Sequence, residues 1–228
     1  MSTFLTTAAS GWVASLSAAL VPVLVPALAP VFTLWREPVS ALEIVAFALA
    51  LLMVVLNMRV NALAWPCAIV SSLLYCALFA NSRLYGEAGL QIVFVVVALW
   101  GWWQWRRGTQ ADGSTLRVRE LTVRARWWLL LALGVAWPAT GWFLKRYTDS
   151  DVPWWDAFPT AGSLIGQWLL GRQYVENWPV WIVVNAVSVG LFVHKGLWLT
   201  ALLYCVFIML SMLGWRAWRQ RLPGAQAR

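Results

Sequence analysis

The chain has 228 residues, 61% of them apolar and only 11% charged, with a mean hydropathy of +0.69. Soluble domains average about 45–50% apolar and about 25% charged, so a disordered chain is excluded, a soluble globular domain is disfavoured, and an all-α polytopic membrane protein is predicted. Three cysteines, an odd number set inside apolar runs, exclude a disulfide scaffold, and the net charge of +8 lies between apolar runs, where Lys and Arg mark the cytoplasmic face rather than a nucleic-acid surface.

Residues 1–39 form an apolar, proline-rich segment. Within it Trp12–Trp35 carries Pro22, Pro26 and Pro30 and reads as either an eighth span or an interfacial segment. A helix needs about 20 mainly apolar residues to cross the hydrocarbon. Seven runs approach that length: Ser40–Met58, Leu63–Ala80 and Leu84–Trp105 in a first unit (40–105), Trp127–Leu144 in a linking unit (106–154), and Trp155–Gly171, Trp178–Val193 and Leu197–Trp215 in a third (155–218). The joint from Arg106 to Arg126 holds six arginines against Asp112 and Glu120, and the tail 219–228 is also basic. Both are expected in the cytoplasm, while Asp149, Asp151 and Asp156 mark an outer joint. The chain is therefore expected to be a multi-pass protein of the inner (plasma) membrane with a cytoplasmic C-terminus.

The two outer units repeat one another at an offset of 113 residues without a gap: Arg59 with Arg172, Trp65-Pro66 with Trp178-Pro179, Phe79 with Phe192, Gly101-Trp102 with Gly214-Trp215, Trp105 with Trp218, and Glu43 with the equally acidic Asp156. Three helices per copy would invert the second copy. The span between them restores its direction, giving a 3+1+3 layout with two parallel three-helix repeats. Such repeats are a transporter signature, with the substrate site near mid-membrane between the halves.

A small asymmetric ligand on a pseudo-two-fold axis cannot be held identically by both halves. Residues shared between copies then read as architecture, and polar or aromatic residues that differ read as site candidates. Trp181 stands against Ala68, Asn185 against Ser72, and Tyr204 against Gln91. Trp178, Trp181 and Asn185 fall within roughly 60° of one helix face. An aromatic stripe at this spacing is most often packing, and the plain alternative for Asn185 is an interhelical hydrogen bond; yet a mid-span amide is costly to bury unpaired and usually serves a cavity. Indole faces with amides suit a flat aromatic ring with polar groups, and attract cations by about 0.5–2 kcal/mol.

Acidic residues lie near helix ends (Glu43, Glu87, Asp156, Glu176), and the only histidine, His194, sits at a joint. No proton relay, catalytic set, metal motif or cofactor motif is evident, so passive passage down the solute's own gradient, and not proton coupling, is expected. Gly162 and Gly166 form a close-packing pair. A membrane-embedded enzyme lacks its acids here, and a structural or receptor subunit leaves the duplication unexplained.

The tract RQYVENWPVWIVVNAVSV (Arg172–Val189), the preceding VPWWDAF and the GLQIVF…WGWWQW stretch resemble the PnuC family of nicotinamide riboside transporters, from Glu43 to Trp218. The resemblance implies a seven-helix 3+1+3 fold related to the SWEET sugar transporters. It also implies facilitated diffusion of nicotinamide riboside, trapped afterwards by a cytoplasmic kinase for NAD synthesis. Related branches carry thiamine or riboflavin. By resemblance the substrate-binding residues are Trp178, Trp181 and Asn185, with Gln91 of the third core helix and Tyr204 of the last. The expected partners are the vitamin, the lipid bilayer and a further copy of the chain in a homo-oligomer.

Overall fold

The computed structural model describes residues 26, 29–34, 37–81, 85–108, 117–148, 152–194 and 198–222. Among these, seven helices carry the fold: α1 (Ala41–Met58), α2 (Ala64–Asn81), α3 (Tyr85–Arg107), α4 (Val123–Tyr147), α5 (Pro153–Gly171), α6 (Asn177–His194) and α7 (Trp198–Arg219). Every helix end falls within four residues of its expected position. The largest extension is α4, which starts at Val123 because the Thr122 hydroxyl accepts from the Ala125 N–H and caps the helix ahead of the apolar run. Arg124 and Arg126 therefore belong to its first turn and not to the loop. By length and composition α1, α4, α6 and the Ala201–Arg219 part of α7 can cross a membrane, and α2 holds a shorter apolar stretch, Ala64–Leu78.

Ahead of the helices, Pro30–Leu34 (β1) and Glu37–Ser40 (β2) form a short antiparallel hairpin, with Pro30 opposite Ser40 and Leu34 opposite Glu37. The expected N-terminal segment Trp12–Trp35, as an extra span or an interfacial stretch, lies mostly outside the described residues. Pro30 and Pro38 lack an N–H and hold the residue before each in extended backbone, which breaks a helix but fits a two-stranded edge. Residues 12–25 lie outside the described residues. Ser40 then turns the hairpin into α1, its hydroxyl accepting from the Glu43 N–H at 3.2 Å.

Helix α1 packs on α2 and α2 on α3, while α5 packs on α6 and α6 on α7; α3–α5 and α1–α7 contacts join these groups, and α4 lies against α5. The joints α1–α2 and α5–α6 have the same construction. Val60 and Gln173, 113 residues apart, both adopt left-handed backbone, with φ of 56° and 57°. The N–H of Asn61 bonds the Leu56 carbonyl at 3.0 Å, and that of Tyr174 bonds Leu169 at 2.9 Å.

Four indoles run between the groups at this end of the molecule. Trp65 meets Trp105 edge-on (5.5 Å, 86°), Trp105 tilts against Trp218 (6.1 Å, 45°), and Trp218 meets Trp178 edge-on (5.6 Å, 86°). The Trp105 Nε1–H donates to the Leu170 carbonyl at 3.0 Å and that of Trp218 to the Asn57 carbonyl at 2.9 Å. Glycine is required beside the outer rings: a Cβ at Gly101 would come within 2.3 Å of the Trp65 ring, and one at Gly214 within 2.5 Å of Trp178. The same Trp–Gly lock thus forms in both groups, and each is tied to the other by one indole donor.

Candidate functional site

Between these groups lies a cavity of about 280 Å³. It is lined from α1 by Met53, Val54 and Asn57, from α2 by Ser71, Ser72 and Tyr75, and from α3 by Gln91 and Phe94. The other wall comes from Pro159, Ser163 and Gln167 of α5, Asn177, Trp178, Trp181, Asn185 and Ser188 of α6, and Tyr204, Phe207 and Ser211 of α7. All five residues singled out from the sequence, Trp178, Trp181, Asn185, Gln91 and Tyr204, reach this one space.

They do so differently. Trp178 is 3% exposed, its ring locked between Gly214 and Trp218. Trp181, one turn along α6, is half-buried, and the Nε1 edge of its indole rests on Gly166 of α5. Asn185 is 5% exposed. Tyr204 stacks obliquely on Phe192 and edge-on to Phe207. The sequence comparison missed Asn57, Gln167 and Asn177. Their counterparts at the 113-residue offset are Leu170, Val54 and Ala64, so the test of differing polar residues finds them once α1 is compared with α5 and the comparison of α2 with α6 is carried to the first residue of each.

The described lining contains no Asp, Glu, Lys, Arg or His. Two of its hydroxyls are spent on backbone: Ser71 donates to the Ala46 carbonyl and Ser188 to that of Val184, both at 2.9 Å. Charge gathers instead at the end where α5 meets α6. There the Glu176 carboxylate accepts from the Leu121 N–H at 3.0 Å and from the Arg126 guanidinium at 2.9 Å. Arg119 sits 4.4 Å from the Tyr174 ring centre and pairs in parallel with that residue's strand-like backbone. The arginine-rich joint is thereby fastened to the entry of α6.

Gly166 sets the position of Trp181. A Cβ there would stand 3.0–3.3 Å from the indole Cε2, Nε1 and Cζ2 atoms, tighter than ordinary contact. Gly166→Ala is expected to displace the ring and weaken ligand binding by roughly 1 kcal/mol, about fivefold. Calorimetric titration checks this, and unchanged affinity would show that the ring's seat on α5 is irrelevant to binding.

A cavity lined by rings, amides and hydroxyls between two similarly built helix groups is the form of a solute-binding site in a membrane carrier. Residues 40–220 match a family described as nicotinamide mononucleotide transporter. The chain belongs to this family, the PnuC family. Among relatives of this PnuC-family chain, the riboflavin/roseoflavin transporter RibM of Streptomyces davaonensis is 32% identical over 82% of the chain and 88% of its own length. The nicotinamide riboside transporter PnuC of Escherichia coli is 25% identical over 66% of the chain and 73% of its own length. A crystal structure of the vitamin B3 transporter PnuC superposes with a TM-score of 0.65 at 24% identity, covering 82% of each chain, and shows the shared fold. The PnuC family and these relatives are transporters, and the chain is a multi-pass membrane protein of that kind.

Proposed function

We propose that the protein carries nicotinamide riboside into the cell by facilitated diffusion, its pyridinium ring lying on Trp181 between two parallel three-helix repeats. The observation that carries this reading is the cavity of indole, phenol and amide groups between the helix groups, with no charged side chain among its described lining residues. An aromatic cation can be held there by ring faces without a counter-ion. The 3+1+3 arrangement is supported by the matched joints at Val60 and Gln173, by the two Trp–Gly locks and by the reciprocal indole donors. In this arrangement α1–α3 and α5–α7 are the moving halves and α4 the link, in the inner membrane, with the arginine-rich joint and the C-terminus in the cytoplasm.

The relation to RibM favours a second reading, riboflavin, a neutral flat ring with a hydroxylated chain. A lining free of carboxylates suits a neutral ring equally well. Both readings share the class: a flat heteroaromatic vitamin bearing hydroxyls.

Purified protein in liposomes is expected to equilibrate labelled nicotinamide riboside to equal concentrations with no proton or sodium gradient. Labelled riboflavin in parallel vesicles separates the two substrates. Accumulation that requires a gradient would contradict facilitated diffusion.

A further inference from the structure

The cavity has a second polar region that neither stacking on Trp181 nor the fold accounts for. Asn57, at the C-terminal end of α1, and Asn177, at the start of α6, are 4% and 0% exposed, yet the side-chain oxygen of each has no hydrogen-bond partner among the described residues. The Gln167 Oε1 atom of α5 is likewise buried and unpartnered. The Asn177 amide is fixed in orientation, because its Nδ2 donates to the Tyr174 carbonyl at 2.6 Å and leaves Oδ1 as the free acceptor. Trp178 Nε1 is an unpartnered buried donor on the cavity; that of its counterpart Trp65 is unpartnered too but off the lining, so the asymmetry rests on the amides. The three amides and Trp178 line the cavity at the end nearer the arginine-rich joint.

Burying polar atoms unpaired costs free energy, and structures rarely tolerate it without a reason. The fold does not supply the reason. In each case the opposite helix group builds the same construction, with a left-handed residue at the same place and the same backbone bonds, around an apolar counterpart: Leu170 for Asn57, Val54 for Gln167 and Ala64 for Asn177. The amides are therefore an addition of polarity to one end of an otherwise repeated construction. Three acceptor oxygens without a charged group nearby on the lining call for a neutral partner that donates several hydrogen bonds. Hydroxyl groups on a short chain or sugar are that partner. Asn177 lies four residues before Trp181 and so shares its helix face; a ring on Trp181 would trail its substituent toward the amides.

We propose that Asn57, Gln167 and Asn177, with the Trp178 indole N–H, form a subsite for the hydroxylated chain of the transported vitamin, one helical turn from the ring-binding indole. The inference rests on the transport reading above and holds for a riboside or a ribityl chain alike.

The test is a thermodynamic cycle on the full chain in detergent. Nicotinamide riboside is titrated beside its dideoxy analogue, and riboflavin beside lumiflavin, into the wild type and into Asn57→Leu, Gln167→Val and Asn177→Ala. Each substitution installs the residue that the other half already carries. The wild type is expected to prefer the hydroxylated member of at least one pair about tenfold. Each variant should lower that preference about three- to tenfold, as befits a lost hydrogen bond, while Trp181→Ala weakens both members of the pair together. A preference unchanged in all three variants, or equal weakening of both members, overturns the subsite and leaves the transport reading standing. A wild type that binds no member of either pair overturns the transport reading and the subsite with it.

Discussion

Trp181→Ala is expected to weaken ligand binding about tenfold or more without unfolding the protein. Its half-buried indole lines the cavity and is seated by one edge on Gly166. Stacking of a heteroaromatic base on an aromatic side chain is worth about 1–3 kcal/mol by alanine substitution, and each 1.4 kcal/mol is about tenfold in affinity. Two features protect the fold. The equivalent position of the other group is Ala68, packed in the same core, so alanine is an accepted residue there. The entry of α6 is held independently, by Trp178 against Gly214 and by Glu176 on the Leu121 N–H. Calorimetry together with a melting curve in detergent checks both halves of the expectation. Wild-type affinity in the variant would move the ring to another wall of the cavity.

Trp218→Ala is expected to give the largest loss of stability, about 3–5 kcal/mol, the range for deleting a buried tryptophan side chain. Trp218 is fully buried, touches both Trp105 and Trp178, and donates to the Asn57 carbonyl. Its removal opens the file of four rings and takes from that carbonyl the indole donor, leaving it the Val60 N–H alone, so the α1–α7 contact and the Trp178 lock loosen together. Trp218→Phe keeps most of the ring packing and loses the N–H alone, which predicts a loss nearer 1 kcal/mol. Thermal unfolding in one detergent ranks the three proteins. An alanine variant as stable as the wild type would mean that the ring file does not hold the two groups together.

The helices were legible because a bilayer imposes one simple rule on sequence, a long apolar run between charged joints. Among the described residues the seven runs are seven helices, differing at ends such as Val123, where a capping hydroxyl acts outside the apolar pattern. The hairpin at 30–40 was not legible, since its strands are five and four residues long and alternate no clear apolar face. The cavity was legible in part. Comparing the two copies picked out Trp181, Asn185, Gln91 and Tyr204, all of which line it. Asn57 and Gln167 differ from their counterparts across α1 and α5, and Asn177 differs at the first residue of α6 against α2, positions outside the stripe that carries Trp181 and Asn185.

Taken alone, the residues determined the seven helices among the described residues, the 113-residue offset at which the two outer groups match and the positions at which they differ. Hydropathy, proline, glycine and charge all act through local chain position, so they survive in a one-dimensional record. Only the packed molecule decided what each aromatic does. Trp178 and Trp181 share a helix face and look alike in sequence, but α7 presents Gly214 and Trp218 to the first, and α5 presents Gly166 to the second. One indole becomes a strut and the other borders open space, because the surroundings of a side chain are set by the neighbouring helix and not by its own.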